Sequence, residues 1–327
     1  MPGRRAVLHV GPHKTGTTTI QDALHHNAEA LAQAGWRYPA IGYSQQAHHA
    51  LVQALVKAED GEAERMLAAL ADEPGDLVLS SENLSRAPLE ALQRLAGALR
   101  GREVAVVYYQ RNFLDLAYSW WQERIKHGRS EELTAFLLDI VAAPGRLHLF
   151  APHAVLGRLA EAFGRESIHV FLYDRIRADP GLVAHFAREV LELDASGWAA
   201  QRRQANRSLR PAAAELRRML NRLGCGTGGG ILPEAGTRAL REQAVAREAA
   251  HLRTVTLGYD MPAFRRMERA LLDHWGDCIR TPLPAPEEAF AERTREIRYV
   301  DPAIWLLEPA LAAAVRAFAA ERRPGGG

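Results

Sequence analysis

A short apolar run at residues 6–10 breaks into Gly11-Pro12-His13-Lys14-Thr15-Gly16, and a helix-period pattern follows from Thr17 until Gly35 stops it. No other feature constrains the fold as strongly. A strand joined by a glycine loop to a helix is the first half of a parallel crossover, and repeated crossovers build a parallel sheet. Further apolar runs at 77–80, 104–109 and 168–173 are separated by helical patterns at 47–70, 89–99, 114–127, 132–141 and 154–163. Residues 104–109, Val-Ala-Val-Val-Tyr-Tyr, do not alternate with polar positions, as expected of a strand covered on both faces. Residues 181–191, 211–223, 235–252, 262–273 and 302–320 are helical by spacing. The expected architecture is a three-layer α/β fold, with a central parallel sheet in residues 1–180 and a helical C-terminal half. Residues 1–321 read as one domain and 322–327 as a disordered tail.

Charge and cysteine content exclude several classes. Lys and Arg number 41 against 39 Asp and Glu, a net charge of +2, which does not suit a chain that coats nucleic acid or an anionic membrane. Cys225 and Cys278 cannot supply a disulfide framework or a zinc site, and they fit a reducing cytoplasm. No run approaches the roughly 18–20 apolar residues of a membrane helix, and 6–10 is too short for an export signal. Histidines form no HExxH or Cys/His grouping, so no metal is expected.

The spacing of Gly11 and Gly16 is that of a loop whose backbone N–H groups and following helix N-terminus cradle a phosphate. In a nucleotide triphosphatase a lysine follows the second glycine; here Thr17 stands there and the lysine, Lys14, lies inside the loop. Residues 9–19 resemble the 5′-phosphosulfate loop of sulfotransferases that use 3′-phosphoadenosine 5′-phosphosulfate (PAPS), particularly bacterial ones. That resemblance implies a P-loop-type fold. It also implies that Lys14 touches the bridging oxygen and sulfuryl group, while Thr15, Gly16, Thr17 and Thr18 hold the 5′-phosphate. Arg111 and Ser119, eight residues apart after the strong strand, resemble the family's 3′-phosphate ligands, with Phe113 in place of its usual proline. Asn206-Arg207-Ser208-Leu209 resembles the late loop that closes over the nucleotide, which makes Arg207 and Ser208 further donor ligands. Asp174 follows the run 168–173 where the family more often has glutamate, and the resemblance gives it a structural role. The same apolar run before an aspartate also fits a magnesium-binding strand, so a P-loop kinase or NTPase, or a non-catalytic nucleotide-binding protein, stays an alternative.

Transfer of a sulfuryl group to a hydroxyl or amine needs a base at the acceptor. Glu82, just beyond residues 77–80, looks like the glutamate base of heparan-type sulfotransferases, with Asn83 where those have lysine. The other reading makes Glu82 a helix cap ahead of Pro88. His13, in the loop itself, is the expected catalytic helper, and His48 and His49 compete. The acceptor itself, whether carbohydrate, lipid or small metabolite, has no sequence signature; Trp36, Tyr38, Trp120 and Trp121 suit a core at least as well as a substrate wall. The basic stretch ending in Arg217, Arg218 and Arg222 reads as a solvated helix face.

Overall fold

Val106, Val107, Tyr108 and Tyr109 are all fully buried, which is why their stretch of sequence lacks a polar face. In the computed structural model, which describes residues 3–57, 61–178, 181–198, 208–225, 234–282, 289–290 and 292–322, they lie in the middle of a five-stranded sheet. Its strands are β1 (Arg4–Gly11), β2 (Trp36–Arg37), β3 (Asp76–Ser80), β4 (Arg102–Gln110) and β5 (Ile168–Leu172), in the order β2-β3-β1-β4-β5. Every pairing is parallel. With helices in its crossovers, this is the α/β fold expected. Val7, Ile20, Leu24, Val78, Val107 and Phe171 pack together in its core; a buried side chain of this kind contributes roughly 1.5–3 kcal/mol.

The described residues fall into two compact units. The first, Met1–Asn112, Gly145–Ala205 and Arg266–Ala291, contains this sheet. The second, Phe113–Pro144, Asn206–Arg265 and Glu292–Gly327, includes the helix Phe113–Lys126 and the helices Pro211–Arg222, Glu234–His251 and Pro309–Ala320, the last three packed around Leu216, Leu220, Leu240 and Leu311.

The structure differs from the sequence reading in four places. The helix expected over 17–34 is two, Thr17–His26 and Ala28–Gln33, because the Asn27 side chain turns back to donate to the Ala23 carbonyl. The pattern at 47–70 is also split, into His49–Lys57 and Glu62–Asp72, with Gly61 in a left-handed conformation at the second start. Tyr173 opens the helix Tyr173–Ala178 instead of ending the strand. The C-terminal half is not purely helical: β6 (Leu252–Gly258) and β7 (Thr294–Val300) form an antiparallel ribbon. Only Ile297 and Val300 of β7 are buried, so its sequence carries too little apolar signal to announce a strand. In the expected tail, Arg322 is placed, its guanidinium 4.1 Å from the Phe318 ring centroid; residues 323–327 lie outside the described residues. No helix among the described residues is long and apolar enough to cross a membrane.

Candidate active site

Parallel strands end on one side of the sheet, and the chain leaving β3 must cross β1 to reach β4, so the loops after these strands meet where the strand order reverses. The β1/β4 register skips between His9 and Gly11, and the strand then turns into the glycine loop. Gly11 has φ 88°, and a Cβ there would lie 2.8 Å from Glu82 Cβ and 3.1 Å from Glu82 Cα. A glycine is thus required for the loop after β1 to close on the turn after β3.

Lys14 itself takes a left-handed conformation, with φ 70°. Its carbonyl accepts a 2.9 Å hydrogen bond from Arg111 Nη1, so the arginine at the end of β4 holds the loop from the neighbouring strand. Gly16, φ 74°, is the N-cap of the helix Thr17–His26, and a Cβ there would strike Leu182 Cδ1 at 2.3 Å. Thr15 is buried and its hydroxyl donates to the Pro12 carbonyl at 2.6 Å, which places that hydroxyl in the loop's own framework. Thr17 is buried and Thr18 exposed. The first N–H groups of a helix have no partner within it, and here they follow directly on the loop.

Arg111 is largely buried, with side-chain exposure of 14%. Its guanidinium carbon lies 5.4 Å from the Tyr173 ring centroid, and its Nε, 4.0 Å from Asp174 Oδ1, is buried with no hydrogen-bond partner among the described residues. Asp174 Oδ2 accepts from the Asn112 backbone N–H at 2.6 Å. The structural role read for Asp174 is therefore specific: it fixes the backbone next to Arg111.

Glu82 does not cap the helix ahead of Pro88. It opens a 3₁₀ turn, Glu82–Arg86, directly beyond β3, with a side chain only 13% exposed. Gln21 Nε2 donates to Glu82 Oε2 at 2.9 Å, His13 Nδ1 lies 3.6 Å from Oε1, and His49 Nε2 lies 3.8 Å from Oε2. Burial pushes this carboxyl up, but the Gln21 hydrogen bond and the charge of His13 and then His49 outweigh it, leaving it below the usual carboxylate range. Glu82 is thus held ionised, with a histidine on each oxygen.

The remaining histidines separate by environment. His48 is bonded at both ring nitrogens, to the Pro39 carbonyl at 2.9 Å and from the Ser80 N–H at 3.1 Å, so it ties loops together and has no free nitrogen for a substrate proton. His9 on β1 pairs with Ser80 Oγ at 2.9 Å, and Gln21 reaches the same hydroxyl at 3.2 Å. Burial lowers both His9 and His48 from 6.5 to about 4. They stay neutral in the fold while the unfolded chain takes up their protons near the ordinary value. Stability should therefore fall as the pH drops from about 6.5 to about 4, on the order of 1–3 kcal/mol for each histidine. Urea unfolding between pH 4.5 and 7.5 checks this; a midpoint flat across that window would contradict it, and His48→Gln should flatten part of the slope.

Beside the loop, a cleft of about 1090 Å³ is lined by Thr19 and Ala23 of the first helix and by residues that include Leu182, Arg188, Asp194 and Trp198.

Of the residues singled out by sequence, the first unit brings together His13, Lys14, Thr15, Gly16, Thr17, Thr18, Glu82 and Arg111. Ser119 and Ser208 belong to the second unit. There Gln122, one turn beyond Ser119 on the same helix, exchanges two 3.0 Å hydrogen bonds with the backbone of Leu209, anchoring the residue after Ser208 to that helix. Arg207 lies outside the described residues. Trp36 and Trp121 are core residues whose indole N–H groups donate to the Leu191 and Glu131 carbonyls, and the Tyr38 hydroxyl donates to the Gln46 carbonyl. Gln21 carries no motif and was detectable only as a polar residue on the buried face of an amphipathic helix. Protein-family models, curated proteins and solved structures contain no match to this chain.

Proposed function

We propose that the chain is a P-loop-type sulfotransferase that moves the sulfuryl group of PAPS to a hydroxyl or amine. The observation that carries this reading is the meeting, at one end of a parallel sheet, of a glycine loop with an internal lysine, an arginine bonded to that loop, and a largely buried carboxylate packed against Gly11. The loop amides and the helix N-terminus suit a 5′-phosphate. Arg111, with an unsatisfied buried Nε, suits the 3′-phosphate.

In the reaction the acceptor oxygen or nitrogen attacks sulfur and forms the new bond to it, while the bond from sulfur to the 5′-phosphate oxygen breaks. The acceptor proton passes to Glu82, and 3′-phosphoadenosine 5′-phosphate leaves with the electron pair of the broken bond. Negative charge grows on the leaving oxygen, so Lys14 and the loop N–H groups stabilise the transition state more than the ground state. No redox change occurs.

The donor half of this reading is tested by calorimetry. The protein should bind 3′-phosphoadenosine 5′-phosphate more tightly than 5′-AMP, and Arg111→Ala should remove most of that difference, about 1.5–3 kcal/mol. Affinity for 5′-AMP should also weaken somewhat in the variant, because the Lys14 carbonyl loses its donor. Equal affinity for the two nucleotides in the unaltered protein would rule out the 3′-phosphate assignment.

A further inference from the structure

The 3₁₀ turn that begins with Glu82 ends with Arg86, and Arg86 borders a second cleft of about 470 Å³. Arg146, Arg158 and His148 line it as well, over an apolar floor that includes Ala151 and Val155, and no carboxylate is among the lining residues. Arg158 is held in place, its Nη2 donating to the Ser85 carbonyl at 3.0 Å. Arg86 and Arg146 are exposed and have no ion pair among the described residues. His148 Nε2 is buried without a hydrogen-bond partner. Burial, with His13, Arg86 and Arg158 nearby, lowers this imidazole to about 4, so it adds a neutral donor or acceptor and not a fourth charge. Three guanidinium groups gathered around one concavity repel each other, and an anion in the cleft would remove that cost.

One residue lining the cleft, His148, lies near the proposed base. The His148 ring lies 6.5 Å from that of His13, whose Nδ1 is 3.6 Å from Glu82 Oε1. Ser85 Oγ donates to the Glu82 carbonyl at 2.7 Å, so the turn bearing the base is also the wall bearing Arg86 and the anchor of Arg158. We propose that this cleft is the acceptor subsite, and that the acceptor carries an oxyanion held by Arg86, Arg146 and Arg158 while its nucleophilic group faces Glu82. The inference rests on the sulfotransferase reading. A volume of about 470 Å³ fits one ring with its anionic substituent.

Calorimetry with matched small probes tests it, first without and then with saturating 3′-phosphoadenosine 5′-phosphate. p-Nitrophenyl β-glucuronide and p-nitrophenyl phosphate represent the carboxylate and phosphate cases, and p-nitrophenyl β-glucoside is the neutral reference. At least one anionic probe should bind about tenfold or more tightly than the glucoside, and added salt should weaken that preference. Arg86→Ala/Arg146→Ala, both at exposed positions, should abolish the preference and leave nucleotide affinity unchanged. Equal binding of all three probes would overturn the proposal, as would displacement of the anionic probe by the nucleotide, which would assign the cleft to the donor. A preference for the anion that the double variant loses, in a protein that binds no nucleotide, would support the anion cleft and reject the sulfotransferase reading.

Discussion

Glu82→Gln should lower transfer by roughly 100-fold or more, the usual size of a general-base contribution, and leave affinity for 3′-phosphoadenosine 5′-phosphate nearly unchanged. The amide keeps an acceptor for Gln21 Nε2, so the turn after β3 should stay in place and the loss should be chemical. Because the carboxyl sits below the usual range, the unaltered protein should, on the proposed function, hold its rate through neutral pH and lose it only as acid protonates Glu82. That acid limb should be missing from the variant. Lys14→Ala is the companion measurement: the Arg111 hydrogen bond goes to the Lys14 backbone carbonyl and survives the substitution, so the loop should keep its shape while the leaving oxygen loses its cation. Both variants should be compared at saturating donor and acceptor, which keeps a binding defect from passing as a chemical one. If Glu82→Gln turns over normally across pH, the base is His13 or His49. His48 is no longer a candidate, because both its ring nitrogens are already bonded.

The strands that could be read from the sequence are those whose burial is nearly complete. Val78, Leu79, Val106, Val107 and Val170 have no exposed face, so an apolar run signals each strand without its neighbours. β2 is two residues long and exists through its pairing with β3, and β7 turns charged Arg295, Glu296 and Arg298 toward solvent; neither is written in local composition. The site divides along the same line. Lys14, Glu82 and Arg111 follow strands directly, and a strand end in a parallel sheet is a position that sequence can locate. Gln21 meets Glu82 across 61 residues of chain, and Asp174 meets Asn112 across 62. Their roles depend on tertiary closeness, for which spacing gives no sign. The histidines show this most clearly: His48 and His49 are adjacent in sequence, yet one is a buried loop tie and the other flanks the carboxylate.

The largest stability effect is expected in the second unit, at the arginine that the sequence reads as solvated. Arg218 is 1% exposed and grips Glu215 with two hydrogen bonds, Nη2 to Oε1 at 2.6 Å and Nε to Oε2 at 2.7 Å. Its Nη1 donates to the Ser130 carbonyl at 3.1 Å, and Trp305 Nε1 donates to Glu215 Oε1 at 2.6 Å. Burial pushes the Glu215 carboxyl above its ordinary value even with Arg218 beside it, a sign of how poorly this site would hold a lone carboxylate. Arg218→Met removes the partner and leaves that charge behind, which should cost about 3–5 kcal/mol at pH 7. The loss should shrink as the pH falls, because a raised carboxyl takes up its proton in the folded state before it does in the unfolded chain. Glu215→Gln/Arg218→Met keeps an acceptor for Trp305 without a buried charge and should recover much of the stability, so the two substitutions should be strongly non-additive in urea unfolding. A cost below about 1 kcal/mol for Arg218→Met, or simple additivity in the double variant, would mean that the pair is hydrated in solution and that Arg218 belongs to a solvated face after all.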